Sequence, residues 1–561
     1  MVEPASTRTP DGSDGSDGSD RTHATGVAAP HTRATTAWAA VSGVIAAGAF
    51  LAAAELAAVF AARDASPVLA VGAFVIDIVP QPLKEFAIAA FGSADKVVLL
   101  GGLGLAVLIA SAIAGVLELR RPPWGSVLLG VAGALSLAAT VTRAGATALA
   151  WVPPVVGAAV GILVLGLLVR RLRIPPSGRA APEARPETWP EEAVGSGRAD
   201  GAPAPGVDRR GFFVVAAVAA ASALVVGVGA RLSNAASASI DALRNALRLP
   251  PPRTTVTVPA GAELDVPGLT PLFTPNADFY RVDTALTVPS VDPESWRLAV
   301  VGMVGRRVEL SLDELLAMGL DEYAVTLTCV SNEVGGDLIG NAVWLGVPVR
   351  DILAMAEPEP GADMVLSRSV DGFTASTPLE ALTDPGRDAI LAVGMNGVPL
   401  PLEHGFPVRM VVPGLYGYVS ATKWLSELKV TTFAADQAYW TPRGYSAEAP
   451  IKLSSRIDTP RAGRQVPAGP TAIAGVAWAQ TVGIERVEVR VDDGPWRQAE
   501  LSTPVNRDTW VQWVLEWDAS PGTHYVTVRA VDLDGRVQVG ERAPVAPDGA
   551  TGWQRVLVTV A

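Results

Sequence analysis

The chain holds 561 residues, room for several domains of about 100 to 200 residues each, which excludes a single small module. Hydrophobic residues make up 49% and charged residues only 18%; soluble domains carry roughly 25% charged residues, so wholesale disorder is excluded and the deficit must be concentrated in particular segments. A formal net charge of -12 argues against nucleic acid as a partner, and one cysteine, Cys329, excludes an internal disulfide, a Cys-rich zinc site and a Cys-x-x-Cys-His haem attachment.

Residues 1–33 repeat Gly-Ser-Asp and hold almost no large apolar side chain, which predicts a disordered cytoplasmic tail. Five apolar runs follow, Trp38 to Ala61, Val97 to Leu117, Val127 to Val141, Trp151 to Val169 and Phe212 to Ala230. They approach or reach the roughly 18 to 20 residues that cross about 30 Å of hydrocarbon as a helix. The expected layout is a four-helix membrane region over 34–170, a cytoplasmic linker over 171–209 and a fifth transmembrane helix over 210–231. Residues 66–95 are apolar but broken by Pro80, Pro82, Asp77, Lys84 and Glu85, which predicts an external interfacial segment; a pair of short spans is the alternative.

The basic clusters Arg120-Arg121, Arg170-Arg171 with Arg173, and Arg209-Arg210 fall on one side of a membrane if five helices cross it. Cytoplasmic loops retain such residues, so the amino terminus is expected inside and everything after Arg231 outside. The chain is then a multi-pass protein of the cell membrane with an extracytoplasmic domain. Glu55 is an intramembrane carboxylate and by default a functional candidate. Arg209-Arg210, before Gly211, Phe212 and Phe213, resembles a twin-arginine export signal, with a positive-inside stop as the alternative.

After an external linker over 232–272, the apolar runs shorten and turn signals appear. Ser311 as N-cap and Gly319 as terminator bracket a short helix in Ser-Leu-Asp-Glu-Leu-Leu-Ala-Met-Gly. Residues 273–454 are expected to be α+β, and the alternating pattern of 455–561 predicts an antiparallel β-sandwich of about 100 residues. Cys329 ends the β-prone run Val325 to Thr328 and opens a polar, Gly-containing loop, where functional groups are commonly mounted; a buried core cysteine is the alternative.

Several motifs beyond Cys329 occur in order: Asn396-Gly397-x-Pro399-Leu400-Pro401, His404-Gly405-Phe406-Pro407-Val408-Arg409, Pro413-Gly414-x-x-Gly417 and Lys423-Trp424-Leu425. With the terminal β-domain, they resemble the sulfite oxidase family of molybdenum enzymes over roughly Phe273 to Ala561, and the membrane region resembles an anchored actinobacterial-type branch of it. The resemblance implies a multi-domain fold: an α-helical membrane bundle, an α+β sulfite-oxidase-type molybdopterin domain and a C-terminal Ig-like β-sandwich. It implies molybdenum and molybdopterin as cofactors, with Cys329 as metal ligand and catalytic residue. A thiolate is the soft ligand that suits such a metal.

The same resemblance implies that His404 and Arg409 hold the pterin and its phosphate, with backbone groups around Ser420 and Ala421, the basic Lys423, and the acidic Asp371 as further contacts. Tyr280, Arg281 and Asp283 match the family's entry segment, without its Asn-His pair. Tyr445, after Trp440, matches a catalytic tyrosine. Cys329 is followed by Val330-Ser331-Asn332-Glu333 where sulfite oxidases carry an anion-binding arginine, so the reaction carried over is oxygen-atom transfer on a small sulfur- or nitrogen-containing substrate. No histidine lies in a membrane run and no cysteine set exists, so haem within the bundle and an iron–sulfur cluster are not expected. Electrons then pass to or from a separate carrier, a cytochrome or quinone-linked protein. A homodimer is a further expectation. The competing readings are a non-catalytic surface binding protein of the same fold and a transporting helix bundle with a regulatory outer domain.

Overall fold

A computed structural model of the chain describes residues 33–61, 71, 95–142, 148–173, 240–285 and 287–561. The expected tail over 1–33 apart from Arg33, which opens a helix, nearly all of the interfacial segment 66–95, most of the linker and the fifth apolar run with Arg209-Arg210 lie outside the described residues. Four helices among the described residues are long and apolar enough to cross a membrane. They are α1 (Arg33–Ala61), α2 (Asp95–Arg120), α3 (Trp124–Val141) and α4 (Val152–Arg173).

Apolar faces alone do not drive helices together in lipid, so close packing relies on small residues. At the crossing of α1 and α2, a Cβ on Gly43 would collide with the Ser111 carbonyl oxygen, and one on Gly115 with the Ala39 carbonyl oxygen. Against α4, a Cβ on Gly157 would lie 2.8 Å from the Phe50 carbonyl oxygen. At one end of the bundle the Ser126 amide donates to the buried Glu118 carboxylate at 2.8 Å, and Arg173 donates to the carbonyls of Glu118 and Leu119. This knot brings the clusters Arg120-Arg121 and Arg170 to Arg173 to the same end.

Residues 297–431 form two sheets with short helices. In chain order they are β1 (Arg297–Gly302), β2 (Val308–Ser311), α5 (Leu312–Ala317), β3 (Asp321–Thr328), β4 (Ile339–Pro348), α6 (Val349–Ala356), β5 (Met364–Ser369), β6 (Thr374–Pro378), α7 (Leu379–Thr383), β7 (Ile390–Met395), β8 (Val398–Pro399), β9 (Arg409–Val411), α8 (Gly417–Ser420) and β10 (Leu425–Thr431). One sheet has the order β2-β1-β10-β5-β6, with β1 and β10 parallel; the other has the order β3-β4-β7-β8, with β9 added on β7. Fully buried Leu298, Leu315, Ile352, Leu391, Val408 and Leu428 weld the two sheets into one core. The expected cap on α5 is a complete capping box, Ser311 and Glu314 each satisfying the other's backbone amide, and Gly319 follows at φ 86°.

The terminal region forms two sheets, one of Ser454–Thr459, Gly469–Trp478, Val511–Ala519 and Glu500–Leu501, the other of Gln465–Val466, Gln554–Val560, Gly522–Asp532, Ile484–Val491 and Arg497–Gln498, each in that order. Alternating residues such as Ile473, Trp513, Val528 and Val558 fill the space between them.

A Gly115→Val substitution should lower the thermal midpoint of the detergent-solubilised protein, equivalent to about 1–3 kcal/mol of overpacking. Gly104→Ala, where an added Cβ meets nothing within 4 Å, should leave it unchanged.

Candidate active site

The strand β3 delivers Cys329 to the floor of a cavity. The strand is buried on both faces from Ala324 to Thr328, and the chain then turns: the Cys329 amide donates to the Leu338 carbonyl at 3.0 Å, and the Asn332 amide donates to the Cys329 carbonyl at 3.0 Å. The sulfur accepts from the Ser331 amide at 3.4 Å. Burial pushes the thiol above its ordinary pKa, and the Ser331 hydrogen bond works in the opposite direction.

A second wall comes from the turn Leu402–His404 and β9. Gly405 ends that turn at φ 111°, and a Cβ there would lie 3.0 Å from the Arg409 Cβ and 3.1 Å from the Lys423 Cα, so glycine is required both for conformation and for space. The His404 Nε2 lies 3.0 Å from the Asn276 carbonyl oxygen. A carbonyl only accepts, so the neutral imidazole carries its proton on Nε2. Burial pushes the His404 pKa down to about 4, against the Asn276 hydrogen bond, which keeps the ring neutral near pH 7.

Arg409 is 5% exposed. Its guanidinium donates to the carbonyls of His404 at 3.2 Å and Ala421 at 3.5 Å and lies 5.0 Å from the centre of the Trp344 ring. Among the described residues no carboxylate pairs with it, and burial pulls its pKa down to about 10. Lys423, by contrast, is neutralised: its ammonium donates to Asp283 at 2.8 Å and to the Glu403 carbonyl at 3.1 Å. Burial outweighs the Asp283 charge and draws its pKa down to about 8.

These groups share one cavity, whose empty volume is about 910 Å³ counted to its open mouth. Of the residues expected at the site, Tyr280, Asp283, Cys329, Asp371, His404, Arg409, Ala421, Lys423 and Tyr445 line it, whereas Arg281 and Ser420 do not. Arg281 is partly exposed and engages Asp283 from outside at 2.9 Å. The Ser420 hydroxyl is spent on the Leu415 and Tyr416 carbonyls, both at 3.0 Å, closing α8 on itself. Asp371 sits in the turn from β5 to β6, accepting from the Phe373 amide at 3.3 Å. Tyr445 packs edge-on against Trp440 and Tyr418, with ring centres at 5.2 and 5.6 Å. Glu333 is exposed and does not line the cavity.

Three contributors leave little trace in the sequence. Asn276 orients His404 through a backbone carbonyl, which no side-chain pattern reveals. Trp344 comes to Arg409 only through the pairing of β4 with its neighbours. Tyr418 directly follows the glycine turn that ends at Gly417, and its hydroxyl donates to the Ser446 carbonyl at 2.8 Å, holding one wall of the tyrosine cluster.

Gly405→Ala should destabilise the protein by about 1–3 kcal/mol, read from the denaturant midpoint, because it adds both strain and a collision. The lowered pKa of His404 means that the unfolded chain binds the extra proton first. Between pH 6.5 and about 4, stability should therefore fall as pH falls, by on the order of 2–3 kcal/mol, with the full contribution present above pH 6.5. His404→Gln should remove that part of the pH dependence in cofactor-free protein, measured by denaturation across the range.

The oxidoreductase molybdopterin binding domain family matches residues 285–440, and the bacterial Ig domain family matches residues 454–528. Sulfite oxidase of Gallus gallus is 31% identical over 322 residues, which cover 48% of this chain and 69% of that protein. Mitochondrial sulfite oxidase of Homo sapiens is 33% identical over 340 residues, covering 51% of this chain; the match spans 62% of the human protein. The sulfane dehydrogenase SoxCD of Paracoccus pantotrophus aligns in structure with 24% identity and a TM-score of 0.46, over 51% of this chain and 81% of that one. With Cys329, His404 and Arg409 gathered at one cavity and these sulfite oxidases as relatives, the chain belongs to the sulfite oxidase family of molybdopterin oxidoreductases.

Proposed function

We propose that the protein is a membrane-anchored, molybdenum-dependent oxidoreductase. It acts outside the cytoplasmic membrane, transfers an oxygen atom to or from a small sulfur- or nitrogen-containing substrate, and exchanges electrons with a separate cytochrome or quinone-linked carrier. The observation that carries this reading is the joint presence, at one cavity, of a lone thiol and a buried guanidinium that pairs with no carboxylate among the described residues. A charge that deep is costly unless an anion meets it, and a pterin phosphate is such an anion.

The residues present fit the group. Cys329 would supply the metal ligand, Arg409 the phosphate fork, and neutral His404 an acceptor at Nδ1, held in that tautomer by Asn276. Lys423 and Asp283 would contact the cofactor as a neutral pair, with Ala421 and Tyr280 as walls and Asp371 as an acceptor for pterin N–H groups. When bound, molybdopterin supplies the two-electron oxygen-atom-transfer chemistry. The chain's own part is to bind, orient and exclude water. Tyr445, fixed between Trp440 and Tyr418, would donate its phenolic proton in a hydrogen bond to the transferred oxygen.

The same lining speaks to the substrate's charge. Among the described residues the cavity offers two cations, of which Lys423 is paired with Asp283 and Arg409 would be taken up by the pterin phosphate. The cavity that holds Cys329 is also lined by Val330, Phe373, Tyr418, Trp440 and Tyr445, a mostly aromatic surface suited to an uncharged molecule and poor for an oxyanion such as sulfite. An uncharged S-oxide, N-oxide or thioether is the class we assign.

Purified full-length protein from a host able to make the cofactor should carry near-stoichiometric molybdenum and pterin, and Cys329→Ser should lose or perturb the metal. A folded preparation lacking both would instead favour a non-catalytic surface binding protein. In the loaded enzyme, Tyr445→Phe should lower kcat by about 10²-fold, and uncharged oxides should turn over at least tenfold better than sulfite, measured as kcat/KM.

A further inference from the structure

The strand that ends on Cys329 is an edge strand, and the terminal β-domain covers that edge. The Thr326 amide donates to the Asp508 carbonyl at 2.9 Å, and the Asn506 side-chain amide donates to the Ala324 carbonyl at 2.9 Å. Gln480 donates to the Thr326 carbonyl, while the Trp510 amide donates to the Thr326 hydroxyl at 2.9 Å. An edge left bare would present these groups to water and let the strand fray.

The loop leaving Cys329 is held from the same side. Arg456, 8% exposed, donates from Nη1 to the Gly336 carbonyl at 3.0 Å, from Nη2 to the Thr270 hydroxyl at 2.9 Å and from Nε to Asp458 at 2.7 Å. Gly336 is in turn bonded to Glu333, and the Asn332 side chain accepts from the Leu338 amide at 3.0 Å. Leu338 accepts from the Cys329 amide, so the grip on Gly336 passes through this loop to the cysteine itself. A planar guanidinium with all three nitrogens engaged is a rigid strut where a lysine would supply one point contact.

We propose that the terminal β-domain fixes the position of the Cys329 sulfur, the 506–510 loop gripping the strand that enters it and Arg456 the loop that leaves it. Arg456 is then a positioning residue for the metal ligand, a role that rests on the assignment of Cys329 as that ligand. Because Cys329 is the sole cysteine, thiol labelling reports on it alone and needs no cofactor.

The test compares full-length Arg456→Met, Arg456→Lys and Gln512→Ala with the wild type, all cofactor-free in detergent. Gln512 bridges the Leu264 amide and the Thr270 carbonyl at 2.7 Å each, an interface contact that shares Thr270 with Arg456 but makes no bond to the cysteine loop. The expected result is labelling of Cys329 accelerated about tenfold in Arg456→Met, partial recovery in Arg456→Lys and no change in Gln512→Ala, with faster amide exchange confined to 326–338. In protein loaded with metal, Arg456→Met should also shift the molybdenum(V) paramagnetic resonance spectrum. Unchanged labelling in folded Arg456→Met, or equal acceleration by Gln512→Ala, overturns the proposal. If Arg456→Met does not fold, the same labelling and exchange comparison on Asn506→Ala decides it. Failure to find molybdenum in the wild type would overturn the proposed function while leaving the labelling result to stand or fall by itself.

Discussion

A full positive charge held away from water beside backbone carbonyls and a tryptophan face is the constraint around which the cavity is built. Arg409 is too buried for solvent to compensate it, and the nearby carboxylate that might have done so, Asp283, is already engaged by Lys423 and Arg281. The surroundings accommodate this charge through geometry rather than neutralisation. Gly405 lets the turn close against both cations, the His404 and Ala421 carbonyls take up the guanidinium hydrogens, and His404 itself stays neutral so that no third charge is added. A charge so held would favour an anion entering the cavity, and burying it carries a cost in stability of the kind that functional sites commonly bear.

Two differently built regions converge on that cavity. The sheet carrying β3, β4, β7 and β9 supplies the thiol and the guanidinium, while the 279–284 segment, the turn from β5 to β6, α8, Lys423 and Trp424 just before β10, and Trp440 with Tyr445 supply other walls. The rings of Tyr418, Trp440 and Tyr445 pack edge to face, which fixes their positions through shape and ring electrostatics while leaving the surface they present free of formal charge.

Much of this was legible in the chain because the residues concerned lie in short, ordered motifs. The four long helices announce themselves by length and apolarity, the sandwich by alternation, and α5 by Ser311 and Gly319. Cys329 is conspicuous as the sole cysteine at a strand end, and the segment from Asn396 to Lys423 carries its spacing openly. The hidden parts depend on distance in sequence or on the backbone. Trp344 reaches Arg409 through strand register, and Asn276 acts through its carbonyl, so neither leaves a mark in local composition. Ser420 shows the converse: its position in a motif implies a backbone contact with a ligand, but it does not line the cavity, and its hydroxyl closes α8 within the protein.

The stretch 253–272, expected as a linker, is stitched to both folded regions on its carboxyl-terminal side: Arg253 and Thr254 bond to Leu320 and Asp321, the Leu264 amide to Gln512 and the Thr270 amide to Asp458. Arg253 and Thr254 therefore meet β3 at the end opposite Cys329. A pull arriving along the chain from its amino-terminal side is borne first by Arg244, which donates to the Pro399 and Leu400 carbonyls, and only then as shear on the Asp321 end of that strand. The sulfur at the far end is mechanically insulated from it, and the linkage works as a strain relief between whatever lies upstream and the cavity.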